Sequence, residues 1–354
     1  MNIVKGPIAL LACAVSLGVV AQQPGENACP QIAIGADVSF LSQAEAQGTV
    51  FRDRGVASPA LQILRRHGYG WVRLRLFNNP ATLPNNLAYT LAEAKQAKAL
   101  GFGLLLDFHY ADDWADPSHE PTPAAWQKLK HRQLVEAVYT YTRDTIAAFR
   151  DAGVLPDMVQ VGNEITSGML WPDGKLPDNW DNFTDLLKAG VRGVADGSGS
   201  ERRPKIMLHI DQGGNTETTQ WFFSHVLAAG VPFDVIGQSY YPWWQGSLAN
   251  LKANLAFMAR QYGKPIMVVE TAFDWRPSDD KDEKKSRMPF PQTPEGQRDF
   301  LKAVAETVAA TPGGLGRGVF WWEPAVRGPL ARRGLFDDDG NSLPALNVFD
   351  ACMK

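Results

Sequence analysis

Short apolar runs alternate with longer amphipathic stretches eight times along this chain, the pattern of parallel strands each followed by a helix. The runs are Ile32–Phe40, Trp71–Phe77, Phe102–Tyr110, Met158–Glu164, Lys205–Ile210, Val235–Tyr241, Ile266–Thr271 and Gly318–Glu323. Eight parallel strands close into a barrel, so the expected fold class is α/β, a single (β/α)8 TIM barrel. Helix signals fall between the runs. Ser58-Pro59 reads as a start with proline in the first turn, and His67-Gly68 as the stop. Thr90 with Glu93 reads as a capping box opening Leu91–Leu100. Trp126–Arg150, Phe183–Ala195, Thr218–Ala229, Leu248–Tyr262 and Glu295–Ala310 read as helices, and the eighth is weak, starting after Pro344. No repeat or low-complexity linker divides the chain, which predicts one domain over residues 22–354.

The chain of 354 residues carries 35 Lys and Arg against 38 Asp and Glu, a formal charge of -3. No long block of one sign suggests a nucleic-acid or membrane partner, and nothing implies a protein partner; the balance suits a neutral, polar substrate. The mixed-sign stretch Asp279–Arg287 reads as a solvated loop. The first 21 residues read as an export signal: Lys5, an apolar run from Ile8 to Val20, and Val19-Val20-Ala21 before cleavage, which predicts a secreted or periplasmic protein. A rival lipoprotein-like box, Leu10-Leu11-Ala12-Cys13, brings membrane attachment only if Cys13 is acylated. Signal removal leaves Cys29 and Cys352 at opposite ends of the chain. Barrel ends are neighbours and an exported chain keeps disulfides, so these two are expected to pair.

Alternation along the strands decides which side chains enter the barrel. Val72, Leu74 and Leu76 share one face, leaving Arg73 and Arg75 to the interior; Leu104, Leu106 and Phe108 likewise leave Asp107 and His109, and Asp37 and Ser39 follow the same rule. Buried charges of this kind must be paired, which predicts a polar network at the C-terminal mouth. A stabilising salt bridge low in the barrel accounts equally for Arg73, whereas Arg75 and His109 sit nearer the strand ends where barrel enzymes keep their chemistry.

Two runs end in carboxylates, Gly162-Asn163-Glu164 and Val269-Glu270-Thr271. An unpaired buried carboxylate is costly, so neither belongs there for packing alone. Glycoside hydrolysis requires two carboxyl groups, one to protonate the leaving oxygen and one to attack or to activate water. The fourth and seventh strands face each other across a barrel, and a separation of ~5 to 5.5 Å gives a covalent intermediate and retained configuration.

Asn-Glu ending the fourth strand with Glu ending the seventh resembles the clan of retaining (β/α)8 glycoside hydrolases that includes cellulases, mannanases and β-galactosidases. Gly35-Ala36-Asp37-Val38-Ser39, Asp107-Phe108-His109-Tyr110 through Asp113-Trp114-Ala115-Asp116-Pro117, Gly162-Asn163-Glu164, Ser239-Tyr240-Tyr241-Pro242 and Trp322-Glu323-Pro324 are similar to glycoside hydrolase family 53, the endo-β-1,4-galactanases. The resemblance implies Glu164 as acid/base and Glu270 as nucleophile, acting on internal bonds of plant cell-wall galactan or arabinogalactan. It further implies that Asn163 holds the 2-hydroxyl of the attacked sugar and that Arg75 and His109 orient the nucleophile. Tyr240 would contact Glu270, with Tyr241 as its rival, and Trp322 would floor the subsite. Asp37, Asp112 and His209 join the substrate-binding set, and Trp114, Trp243 and Trp244 are candidates for outer subsites. The residues after His209, Asp211-Gln212-Gly213-Gly214, depart from the family pattern.

No cofactor or metal is expected. Some family members bind calcium, but Asp337-Asp338-Asp339-Gly340 lacks the alternating spacing of a calcium loop and reads as a turn. The alternatives are another β-1,4-glycanase of the clan, such as a mannanase, and a carbohydrate-binding barrel without catalysis. A sugar isomerase or metal-dependent barrel lacks a ligand cluster at the strand ends.

Overall fold

The computed structural model describes residues 31–278 and 288–353. The expected export signal, Cys13, the Cys29–Cys352 pairing and the Asp279–Arg287 loop lie outside the described residues or involve a partner that does. Eight parallel strands close into a barrel: β1 (Ala33–Asp37), β2 (Trp71–Leu76), β3 (Gly103–Phe108), β4 (Met158–Val161), β5 (Lys205–Ile210), β6 (Val235–Ser239), β7 (Ile266–Thr271) and β8 (Gly316–Trp322). Each strand pairs with its neighbours in sequence, and β8 returns to β1. The expected α/β barrel is therefore the fold.

Among the described residues seven helices follow the strands in turn: α1 (Ala60–Arg66), α2 (Leu87–Ala99), α3 (His131–Asp151), α4 (Trp180–Ser198), α5 (Thr216–Ala228), α6 (Leu248–Tyr262) and α7 (Pro294–Ala309). The eighth position is filled by a 3-10 helix, Pro344–Met353, and a short helix, Leu41–Ala46, precedes α1. Three starts differ from the sequence expectation. Asn86, not Thr90, caps α2 by accepting from Tyr89 N at 3.0 Å, and Thr90 instead returns its hydroxyl to Asn86 O. Trp126 sits in a turn ahead of α3, and Glu93 spends its carboxylate on Ser42 N of the preceding segment. At α1 the residue before the helix is Pro59, with no side-chain cap.

The strands pack two separate apolar layers. Val72, Leu74, Leu76, Leu104, Leu106 and Phe108 join the layer between barrel and helices. Leu105, Met158, Met207, Val235, Met267, Val269 and Phe320 fill the barrel axis toward its N-terminal end. This second layer requires a glycine in β1: a Cβ on Gly35 would lie 2.3 Å from the Phe320 ring, closer than carbon atoms approach. Above that plug the inward positions turn polar, as the alternation predicts. Asp37, Arg73, Asp107, Gln160, His209 and Ser239 are all fully buried there.

Candidate active site

Arg73 organises the floor of the mouth. Its Nη1 donates to Asp37 Oδ2 at 2.7 Å, its Nε to Gln160 Oε1 at 2.7 Å, and its Nη2 lies 2.8 Å from Asp107 Oδ2, Asn163 Oδ1 and Glu270 Oε1. A buried guanidinium is tolerated because every arm of its fork meets an acceptor. Burial pushes the Asp107 carboxyl up, but Arg73 and His109 outweigh it and hold Asp107 at about 2.

Glu270 reaches this fork through a break in strand register. Val269 belongs to the axial apolar layer, so simple alternation would turn Glu270 toward the helices. The pairing of β7 with β8 shifts between Val268 and Thr271, and that of β6 with β7 shifts between Gln238 and Ser239. Two consecutive residues thereby face inward, the usual work of a bulge beside a functional site. Besides Arg73, Glu270 accepts the Tyr241 hydroxyl on Oε2 at 3.1 Å.

Glu164 follows β4 on a strained turn. Gly162 has φ of +91°, a conformation that favours glycine, and Glu164 itself sits in the left-handed region at φ 47° and ψ 41°. Tyr110 and Glu323, beyond β3 and β8, share that conformation, and such strain gathers where side chains must be aimed. Ser239 Oγ donates to Glu164 Oε1, and an oxygen of Glu164 lies within 4.8 Å of one of Glu270. His209 completes this group of three; among the described residues it is the one group of three potential ligand side chains whose atoms lie this close together. Each member is held by protein hydrogen bonds, from Ser239, Arg73, Tyr241 and Gln160.

Five carboxyl groups, Asp37, Asp107, Glu164, Glu270 and Glu323, share the mouth with two guanidiniums, Arg73 and Arg75. Part of the surplus is carried as protons. Burial, then the nearby Glu270 and Asp211 charges, raise Glu164 well above the ordinary carboxylate range. Burial also raises Glu270, but there Arg73 opposes it. Glu323, buried and paired with Arg75, is pushed up to about 8 despite that cation, with Asp37 adding to the rise. The arrangement thus keeps a proton on Glu164 while a fixed cation favours charge on Glu270.

A cleft of about 500 Å³ opens above the pair, lined among others by Arg75, Trp114, Asn163, Asp211, Trp244 and Trp322. Trp114 lies under the Arg75 guanidinium at 4.8 Å and beside Trp322 at 6.5 Å, forming an aromatic wall. Trp244 is 57% exposed and also borders a neighbouring groove with Gln212, Asn215 and Asn250.

Several expected residues take other places. Tyr240 turns away, donating to Gly246 O and packing on Phe300, and its rival Tyr241 holds Glu270. Parity fails here because the register shifts at Ser239. Trp243 is buried under Arg333 at 4.7 Å and does not line the cleft; Trp244 does. Asp112 braces a loop, accepting from Asn79 N and Ala124 N, and is likewise outside the cleft lining. Arg75 pairs with Asp37 and Glu323, so Arg73 rather than Arg75 touches Glu270. His109 accepts from Ala115 N and sits 3.0 Å from Asp107, off the hydrogen-bond line, not against Glu270. Asp37 and His209 are fully buried supports beneath the cleft. The acidic run after Phe336 is a turn, with Asp337 Oδ1 accepting from Asp339 N and Asn341 N. Residues missed from the sequence are Gln160, Ser239, Asp211 and Arg333; inward parity was a usable signal for the first two.

The sequence profile described as Glycosyl hydrolase family 53 matches residues 33–349. An arabinogalactan endo-beta-1,4-galactanase of Thermothelomyces thermophilus is 38% identical over 338 residues, covering 89% of this chain and 98% of that one. A solved structure of a fungal beta-1,4-galactanase is 36% identical with a TM-score of 0.82, covering 90% of this chain and 98% of its own. The Ignisphaera aggregans GH53 catalytic domain is 32% identical with a TM-score of 0.86, covering 93% and 98% respectively.

Proposed function

The chain belongs to glycosyl hydrolase family 53 and is a glycosidase, and on that premise we propose that it cleaves internal β-1,4-galactosidic bonds of galactan or arabinogalactan with Glu164 as acid/base and Glu270 as nucleophile. The observation that carries the roles is the unequal company of two carboxyl groups whose oxygens approach within 4.8 Å. That spacing suits direct attack; an inverting site leaves ~6.5–9.5 Å for a water between its carboxyls.

Glu270, with Arg73 and Tyr241 on its two oxygens, is oriented for attack on the anomeric carbon. Glu164 gives its proton to the departing glycosidic oxygen as the galactosyl–Glu270 bond forms. Once Glu270 is esterified its charge is gone, so the pKa of Glu164 falls and the same carboxylate deprotonates the incoming water. Asn163 spends Oδ1 on Arg73 and one Nδ2 hydrogen on Ala115 O, leaving a second hydrogen for the 2-hydroxyl of the sugar. Trp322 and Trp114 supply apolar ring faces at the bond to be cleaved, and Trp244 an outer one. The N-terminal 21 residues support export to where such polymers occur.

Product analysis on unbranched β-1,4-galactan tests the reading. Short galacto-oligosaccharides are expected, with mannan and xylan untouched. Hydrolysis of mannan or xylan without galactan would overturn the substrate assignment.

A further inference from the structure

Between Arg73 and Glu164 runs an unbroken line of side-chain hydrogen bonds whose direction is fixed at every link. Arg73 has donors only, so its Nε–H makes Oε1 the acceptor end of Gln160. The other end, Nε2, therefore donates, and it lies 3.1 Å from Asp107 Oδ1 and 2.9 Å from His209 Nδ1. The backbone N–H of Glu164 approaches the same Nδ1 at 3.4 Å. Facing only donors, Nδ1 must be bare. Burial, with Arg73 nearby, holds this imidazole neutral well below the ordinary histidine range, so its single hydrogen is on Nε2. Nε2 lies 2.9 Å from Ser239 Oγ, which must accept from it. The Ser239 hydroxyl hydrogen is then left for Glu164 Oε1, 2.5 Å away. Gln160, His209 and Ser239 are all fully buried, so no solvent competes for the bonds that lead up to Ser239; Glu164 itself is half-buried at the cleft.

We propose that Ser239 is a positioning residue for Glu164, and that Gln160 and His209 act on the reaction by fixing the direction in which its hydroxyl donates. An oxygen that permanently accepts the Ser239 hydrogen does not also carry the acid proton, so the proton transferred to the leaving group resides on Oε2. In the second step Oε2 is also the oxygen that takes the proton of water. Because Arg73 heads the line and also holds Glu270, the two carboxyl groups are set in one rigid frame. The other charged or titratable groups facing Glu164 are Glu270 at the end of β7, Asp211 past β5, Arg73 on β2, Tyr241 past β6 and Glu120 in the loop after β3. None of them offers a substitute hydroxyl on Oε1.

The inference rests on Glu164 being the acid/base, and that reading fails separately, by a Glu164→Ala enzyme that still cleaves galactan at the wild-type rate. Given that role, the test is the pH dependence of kcat/KM on β-1,4-galactan for Ser239→Ala and Ser239→Thr. Removing a donor from an ionised carboxylate disfavours the charged form, so in Ser239→Ala the alkaline limb should move up by about one pH unit. Its kcat should fall several-fold. Ser239→Thr keeps the hydroxyl and should restore the limb. Wild-type, Ala and Thr limbs that coincide would overturn the proposal. Should the Ala variant not fold, nitrogen NMR of the wild-type histidines decides. A neutral His209 protonated on Nε2 throughout the active pH range is expected; an Nδ1–H tautomer or an imidazolium reverses the line and sinks it.

Discussion

Glu164 is half-buried at the cleft and Glu270 is buried, and what separates their chemistry is the charge each meets. Glu270 ends on a guanidinium and a phenol, whereas Glu164 ends on a serine hydroxyl with Glu270 and Asp211 near it. Glu270→Ala is expected to abolish turnover on every substrate. Glu164→Ala should lose on the order of 10²–10⁴-fold on galactan, yet still form the intermediate from an aryl galactoside whose leaving group is already acidic. Equal losses on the aryl substrate, measured as the burst of released phenol, would contradict the roles. Strand parity alone marks Arg73 and Asp107 as inward groups, and the cost of burying a carboxylate at a strand end marks both glutamates. Parity does not separate Tyr240 from Tyr241 or Arg73 from Arg75, because side-chain direction at a strand end depends on local register. Gln160 and Ser239 are legible by the same rule but carry no charge, and so do not stand out.

At the scale of elements, the strands write themselves as apolar runs because both faces of a parallel barrel are buried. Helix ends are less legible, since capping depends on which polar side chain the loop brings to the first turn. Thr90 and Glu93 have the spacing of a capping box, yet Asn86 starts α2 a turn earlier and leaves both inside the helix. Two substitutions check the packing. Gly35→Ala drives a methyl into the Phe320 ring and is expected to destabilise by about 1–3 kcal/mol in chemical denaturation. Thr293 caps α7 by accepting from Gly296 N at 3.1 Å, so Thr293→Ala should cost about 1 kcal/mol with activity unchanged. A Gly35→Ala protein as stable as wild type would mean that the axial layer is not packed as described. The bulge in β7 has no signature in Val268-Val269-Glu270-Thr271, which is why the route of Glu270 into the barrel is visible only in three dimensions.

At the scale of the whole molecule, more buried carboxyls are pushed up than down among the described residues. Glu93 and Glu120 are raised well above their usual range by burial, and Glu323 to about 8. A folded-state pKa above the unfolded value gives stability that is complete below the unfolded pKa and is lost as pH rises toward the folded one. Asp107, held at about 2, works in the opposite direction, but only below the ordinary aspartate range. The melting temperature is therefore expected to fall between about pH 5 and pH 8, and Glu120→Gln should flatten that slope. A melting temperature that rises over this interval would contradict the burial of these protons. The proposed roles reduce to one claim, that Glu270 attacks the sugar. Incubation with an activated 2-deoxy-2-fluoro-galactoside, followed by peptide mass analysis, tests it most directly. A single galactosyl adduct on the peptide bearing Glu270 is predicted; an adduct on Glu164, Glu323 or any other side chain would contradict it.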